Sequence, residues 1–172
     1  MGTANTFQCL TEAMGMSLPG SAAVPSFHAD KLRYARRSGM RIVDMVAGNL
    51  SARSFLTMKS LENAVMVDLA IGGSTNTTLH LPAIAHELGM ELSLDIFNRF
   101  NVRIPTLCGI SPNGPWGMVN FFMAGGVPAV MKVLAGDIHG DALSVSGDTM
   151  AAIMDFAAVK DPRIITPRDR PY

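Results

Sequence analysis

The chain has 172 residues, 14 basic and 14 acidic side chains and no net charge. That length holds one domain with a substantial core and is short for two, and the charge balance excludes the basic surface of a nucleic-acid module or a polybasic membrane anchor. Only 16% of residues are charged and 48% are hydrophobic, against about 25% charged in ordinary soluble domains, which excludes extended disorder and leaves an apolar exterior.

Apolar spacing through Ala4, Phe7, Leu10 and Met14 predicts a first helix over Thr3 to Met14. Gly15 and Leu18-Pro19-Gly20 end it, and Ser21 to Phe27 reads as a loop or short strand. Asp30 to Leu50 predicts a second helix, bent or broken near Ser38-Gly39. Its wet face carries Arg33, Arg36, Arg37 and Arg41, and its dry face Ile42, Val43 and Val46. Ser60 is placed to cap a helix from Leu61 to Ile71, whose apolar residues nearly encircle it and predict burial on most sides. Gly72-Gly73 breaks that helix. Ser74 opens the next, through Leu79, Leu81, Ile84 and Leu88, with Gly89 as its C-terminal cap. A short helix is expected over Leu94 to Phe100.

The rhythm then changes. Ile104 to Ile110 reads as a strand interrupted by Pro105, and Ser111 to Pro115 as a turn. Helices follow over Met118 to Ala124 and from Pro128 to Leu134, split by Gly125-Gly126. Ala142 to Val145 reads as a short buried strand before a last helix, Thr149 to Phe156. Strands alternating with longer helices make the expected fold class α/β, part of a layered α/β/α domain with a small, mostly parallel sheet.

Four loops join glycine or proline to hydroxyl and amide side chains at or near helix starts: Gly2 to Thr6, Gly72 to Thr77, Ser111 to Gly114, and Ser146 to Thr149. Free N–H groups there can cap a helix or hold a carboxylate or phosphate. Gly72 to Thr77 is the richest, yet it has neither the glycine spacing nor the lysine of a nucleotide loop. Asp68, inside an apolar helix, needs a partner, and structural pairing is the expected one. No two histidines have zinc-helix spacing; His28 and His80 are expected to pack, and His86 and His139 to be exposed. Cys9 and Cys108 are expected as buried thiols. Two cysteines make no disulfide framework, no run reaches the ~18 apolar residues of a bilayer span, and no leader pattern opens the chain, so a cytoplasmic setting is expected.

Several of these stretches are distinctive together. Gly2-Thr3-Ala4-Asn5-Thr6 is followed by Cys9-Leu10-Thr11-Glu12-Ala13, Leu18-Pro19-Gly20 and His28-Ala29-Asp30. Glu62-Asn63-Ala64, Gly72-Gly73-Ser74-Thr75-Asn76-Thr77, His80-Leu81 and Ala124 to Val130 come next, and Arg168 to Tyr172 closes the chain. In this order they resemble the dihydroxy-acid dehydratase and phosphogluconate dehydratase family over nearly the whole length. The resemblance implies a hydro-lyase that converts a 2,3-dihydroxy carboxylic acid into a 2-keto acid. An iron–sulfur cluster serves there as Lewis acid, and magnesium holds the substrate. A dihydroxy-acid dehydratase of branched-chain amino-acid biosynthesis is the first reading. A sugar-acid dehydratase, or a non-catalytic small-ligand-binding or structural domain, is the alternative.

The resemblance also implies an internal piece of the N-terminal domain, residues 1–161, with 162–172 beginning an interdomain linker. The last cluster cysteine belongs to a Cys-Ser-Gly-Met stretch in which Met1 is the methionine. The other cluster and magnesium ligands are expected upstream, and a serine base and a further carboxylate beyond Tyr172. Cys9 and Cys108 are therefore not cluster ligands, and no catalytic or metal-binding residue is assigned. The chain alone is expected to be inactive, bind no cofactor, and lack its C-terminal domain and a homodimer partner. Thr3, Asn5, Thr6, Gly73, Ser74, Thr75 and Asn76 are the expected pocket-lining residues. Asp148 stands where many relatives carry lysine, and Val119-Asn120 where a glutamate–aspartate pair often occurs.

Overall fold

Leu61, Ala64, Val65, Met66, Val67, Ala70 and Ile71 leave almost no face of their helix polar, and all seven are fully buried. A helix of that composition becomes the axis on which others pack. In the computed structural model, which describes residues 1–172, this is α3 (Met58–Ile71). Around it stand α1 (Thr3–Ala13), α4 (Thr77–Glu87), α5 (Asp95–Asn101) and α7 (Gly126–Val133). The remaining helices are α2 (Ala29–Ala47), α6 (Met118–Ala124) and α8 (Met150–Phe156), with a 3-10 turn at Ala52–Ser54. None is long and apolar enough to cross a membrane.

Helix ends explain the boundaries. Ser60 is not the N-cap of α3; it is the fourth member of a reciprocal capping box. The Ser60 amide donates to Thr57 Oγ1 (3.3 Å) and the Thr57 amide to Ser60 Oγ (2.8 Å). Gly72, at φ 59°, closes the other end in the left-handed conformation. Asn76, rather than Ser74, precedes α4. Thr149 caps α8 by accepting from the Ala152 amide at 3.2 Å.

The expected α/β class is wrong: the chain is helical, with no sheet. Three isolated bridges, Cys108 with Ile165, Ile110 with Trp116 and Leu143 with Thr149, never extend into a ladder. The reason lies in where the amide protons go. Pro105 has none to give. The amides of Leu107 and Cys108 both donate to the Ala70 carbonyl at the end of α3, at 2.7 and 3.2 Å. In the second apolar run, Val145 donates to Gly15 (2.7 Å) and Ser144 to Asp148 (2.9 Å). Both runs, buried or half-buried apart from Thr106 and Leu143, serve helix ends and turns. An apolar run reports burial; it does not report pairing. Ile164 and Ile165 pack into the same core, and the Thr166 amide donates to the Leu107 carbonyl at 2.9 Å.

Helix α2 departs in two ways. It runs unbroken through Ser38-Gly39. Its expected dry face is exposed: Ile42 is 53%, Val43 66% and Val46 73% accessible. The helix is held from its opposite side. Met45 joins Leu18, Phe55 and Val145 in a small second cluster, Tyr34 donates to the Pro19 carbonyl at 2.9 Å, and Arg41 bonds the Val145 carbonyl.

Candidate functional site

The polar loops converge because α1 and α3 pack side by side. This sets the start of α1 against the turn that leaves α3. Asn76 Nδ2 donates to Thr3 Oγ1 at 2.6 Å, across 73 residues of sequence. Thr3 Oγ1 and Ser74 Oγ share a hydrogen bond at 3.2 Å. The Ser74 amide donates to Thr6 Oγ1 (3.1 Å), and the Asn76 amide to Ser74 Oγ (3.3 Å). Thr3, Thr6, Ser74 and Asn76 are thus one network. Asn5 and Thr75 are exposed beside it and outside its side-chain bonds; Thr75 contributes only its carbonyl, which accepts from Thr78 Oγ1 at 2.8 Å. Gly73 lies beneath, packed against Asp68.

A third polar loop joins them. Asn113 Nδ2 donates to the Gly72 carbonyl at 2.9 Å, tying Ser111–Gly114 to the end of α3. The fourth, Ser146–Thr149, lies elsewhere, beside the turn after α1, and caps α8. Asp148 there accepts from Ser146 Oγ at 2.9 Å. Asn120 accepts from the Gly117 amide at 3.0 Å ahead of α6.

Next to the network opens an apolar cleft of about 580 Å³ between α1, Leu56 ahead of α3, and α4. Phe7, Leu56, Ile84 and Leu88 supply its surface, and Thr3 stands at its edge. His80 is exposed, with its ring set edge-on against Phe7 at 5.2 Å. No arginine or lysine lines this cleft.

The buried carboxylates frame the site. Asp68 is 6% exposed, and its Oδ2 accepts from Thr77 Oγ1 at 2.7 Å. Burial pushes its carboxyl up to about 6, with the Thr77 hydrogen bond pulling the other way. Glu12 on α1 is buried too. Its two oxygens accept from the amides of Gly20 (2.7 Å) and Ala22 (2.8 Å), so one side chain fixes the turn after α1. Burial pushes Glu12 up to about 7 against those two donors.

The thiols are poor ligands here. Burial holds Cys9 far above the ordinary thiol range, and it pushes Cys108 up to about 12. His28 Nδ1 accepts from the Asp30 amide at 3.2 Å and so caps α2. His139 is half-buried rather than exposed, and its Nε2 meets Glu62 Oε2 at 2.5 Å. No three histidine, cysteine or acidic side chains converge as a metal site.

Residues 1–153 match the family model described as the N-terminal part of dihydroxy-acid/6-phosphogluconate dehydratases. A dihydroxy-acid dehydratase of Ignicoccus hospitalis is 49% identical over 99% of this chain and 31% of its own length. One from Caldicellulosiruptor saccharolyticus is 47% identical over 100% of the chain and 32% of its own. Dihydroxy-acid dehydratase 1 of Methanosarcina acetivorans is 49% identical over 95% and 30%. The chain thus spans about a third of the length of the curated relatives it matches.

Proposed function

Because this chain belongs to the dihydroxy-acid/6-phosphogluconate dehydratase family, we propose that it forms one wall of a dehydratase substrate pocket. In that reaction a 2,3-dihydroxy carboxylic acid loses its C2 proton and its C3 hydroxyl, and the resulting enol becomes a 2-keto acid. The observation that carries the reading is the bond from Asn76 to Thr3, which with Ser74 gathers two hydroxyls and an amide at the edge of an apolar cleft. Thr3 and Ser74 can accept from and donate to substrate hydroxyls, and Asn76 can orient a carboxylate oxygen. Their contribution is alignment of the acid for proton removal and hydroxyl departure.

The iron–sulfur cluster and magnesium of the family do not fit the donors present in residues 1–172. The two thiols are buried and held protonated, and no cluster of three ligating side chains exists. The chain's own part is therefore positioning. In this reading the metal ligands and the base belong to further sequence that also supplies the second domain, and a second copy of the whole protein is the homodimer partner.

The cleft favours a short branched acid over a sugar acid. Phe7, Leu56, Ile84 and Leu88 offer apolar contact to an aliphatic side chain, and the cleft holds no arginine or lysine to pair with a phosphate. The test is a chimaera in which this chain replaces the matching third of the Ignicoccus hospitalis enzyme. We expect kcat/KM for 2,3-dihydroxy-3-methylbutanoate to exceed that for gluconate. Leu56→Ser with Ile84→Ser should reduce that ratio by about tenfold or more. An unchanged ratio contradicts the assignment of the cleft.

A further inference from the structure

Thr77 has one hydroxyl proton and two oxygens placed to receive it. Its Oγ1 lies 2.7 Å from Asp68 Oδ2 and 2.8 Å from the Ser74 carbonyl. A carbonyl only accepts, and an ionised carboxylate only accepts, so one proton cannot complete both contacts. The other carboxyl oxygen, Oδ1, is buried with no hydrogen-bond partner and rests against Gly73. An ionised Asp68 would thus be a buried charge with one contested donor and one bare oxygen.

A proton on Oδ2 removes the conflict. The acid O–H donates to Thr77 Oγ1, and the Thr77 hydroxyl donates to the Ser74 carbonyl. We infer that the folded chain favours Asp68 as a neutral carboxylic acid in mildly acidic solution, and that its proton then completes the hydrogen-bond chain from α3 through Thr77 to Ser74, beneath the Thr3–Ser74–Asn76 network. Asp68 is then a positioning residue for that network. The link to substrate alignment rests on the pocket-wall reading; the proton inventory does not.

The surroundings agree. Asp68 meets Gly73 from the turn and Thr77 from α4, and Thr6 from α1 borders the same Gly73. The titratable groups on those elements are Cys9 and Glu12 on α1, and His80, His86 and Glu87 on α4. Burial raises the Asp68 carboxyl, and the Thr77 hydrogen bond opposes it. On ionisation the proton leaves to solvent and the Thr77 hydroxyl turns to the carboxylate. The Ser74 carbonyl then keeps only the Thr77 amide, at 3.1 Å. A carboxyl raised in the folded state stabilises fully below its unfolded value near 3.8, and the contribution fades as pH rises through about 6.

Carbon-detected NMR of the labelled 172-residue chain, with the Asp68 carboxyl assigned through its own backbone, reads this directly. A titration midpoint near 6 is expected, and a midpoint at or below 4 overturns the proposal. Asp68→Asn gives a second readout, because its amide donates to Thr77 as the acid does. In urea unfolding, the ratio of the variant's folding equilibrium constant to that of the wild type should rise by about tenfold between pH 5 and pH 8. A ratio that does not change between the two pH values overturns the proposal as well. Neither readout involves turnover, so their failure and the failure of the dehydratase reading are separate results.

Discussion

Gly73→Ala is expected to destabilise the chain by about 2–4 kcal/mol, although it adds a single methyl group. A Cβ at Gly73 overlaps the Asp68 Oδ1 oxygen and stands 2.9 Å from Thr6 Cγ2. Neither neighbour can give way, since Thr6 and Asp68 are both buried and both hydrogen-bonded. The penalty arises from crowding at the carboxyl. It should therefore shrink by more than about 1 kcal/mol when Asp68 is shortened to alanine, a coupling that a double-mutant cycle in urea measures. Additive effects of the two changes would show that Gly73 is needed for some other reason. The same variant should disturb the amide resonances of Ser74 and Asn76, which depend on the turn that Gly73 holds.

Glu12→Ala is the second large effect, about 3 kcal/mol or more. It leaves the Gly20 and Ala22 amides without acceptors, each costing about 1–3 kcal/mol, and opens a gap beside α1. Glu12→Gln separates charge from shape. It retains one acceptor but turns an NH2 group toward the other amide, so it should lose about 1–3 kcal/mol at pH 5. The pH dependence has a definite sign. Glu12 is pushed up to about 7 and Asp68 to about 6, from ordinary values of 4.5 and 3.8. Both bind a proton more tightly when folded. Their contribution is full below about 4 and is lost as pH rises through 6 and 7. Each shift corresponds to roughly 3 kcal/mol. Guanidinium unfolding should show a less stable wild type at pH 8 than at pH 5, with a smaller difference in Glu12→Gln. A wild type equally stable at both pH values contradicts the assigned ionisation of these carboxyls.

The helices were legible wherever the apolar spacing was regular and a cap followed. The encircled α3 did become the buried axis, and the Gly72 turn and α8 lie where sequence places them. The missing sheet has a different origin. Ile104 to Ile110 and Ala142 to Val145 are as buried as strands, but their amides are taken by Ala70, Gly15 and Asp148, partners distant in sequence or set by turns. The α2 face failed for a related reason. Amphipathic spacing identifies a face that can be covered, and Val43 and Val46 are not covered by this chain.

The site was half legible. Loop composition singled out Thr3, Thr6, Ser74 and Asn76, which the packing of α1 on α3 unites. Asn5 and Thr75, in the same loops, face away from the network, because adjacent residues at a helix start point in different directions. Glu12 was visible only as part of a motif. Its grip on Gly20 and Ala22 needs the return of the chain over α1, for which no local signal exists. Asn113 likewise gave only a turn signal, and its bond to Gly72 spans 41 residues.

In the pocket-wall reading, the Thr3–Ser74–Asn76 network aligns a dihydroxy acid. The most direct measurement is turnover by the chimaera carrying this chain in the Ignicoccus hospitalis dehydratase, with and without Thr3→Val and Asn76→Ala together. The parent chimaera is predicted to form the 2-keto acid. The paired variant is predicted to lose about a hundredfold in kcat/KM, with iron content and melting temperature unchanged. A folded, iron-loaded chimaera without turnover, or a paired variant with full turnover, would overturn that alignment.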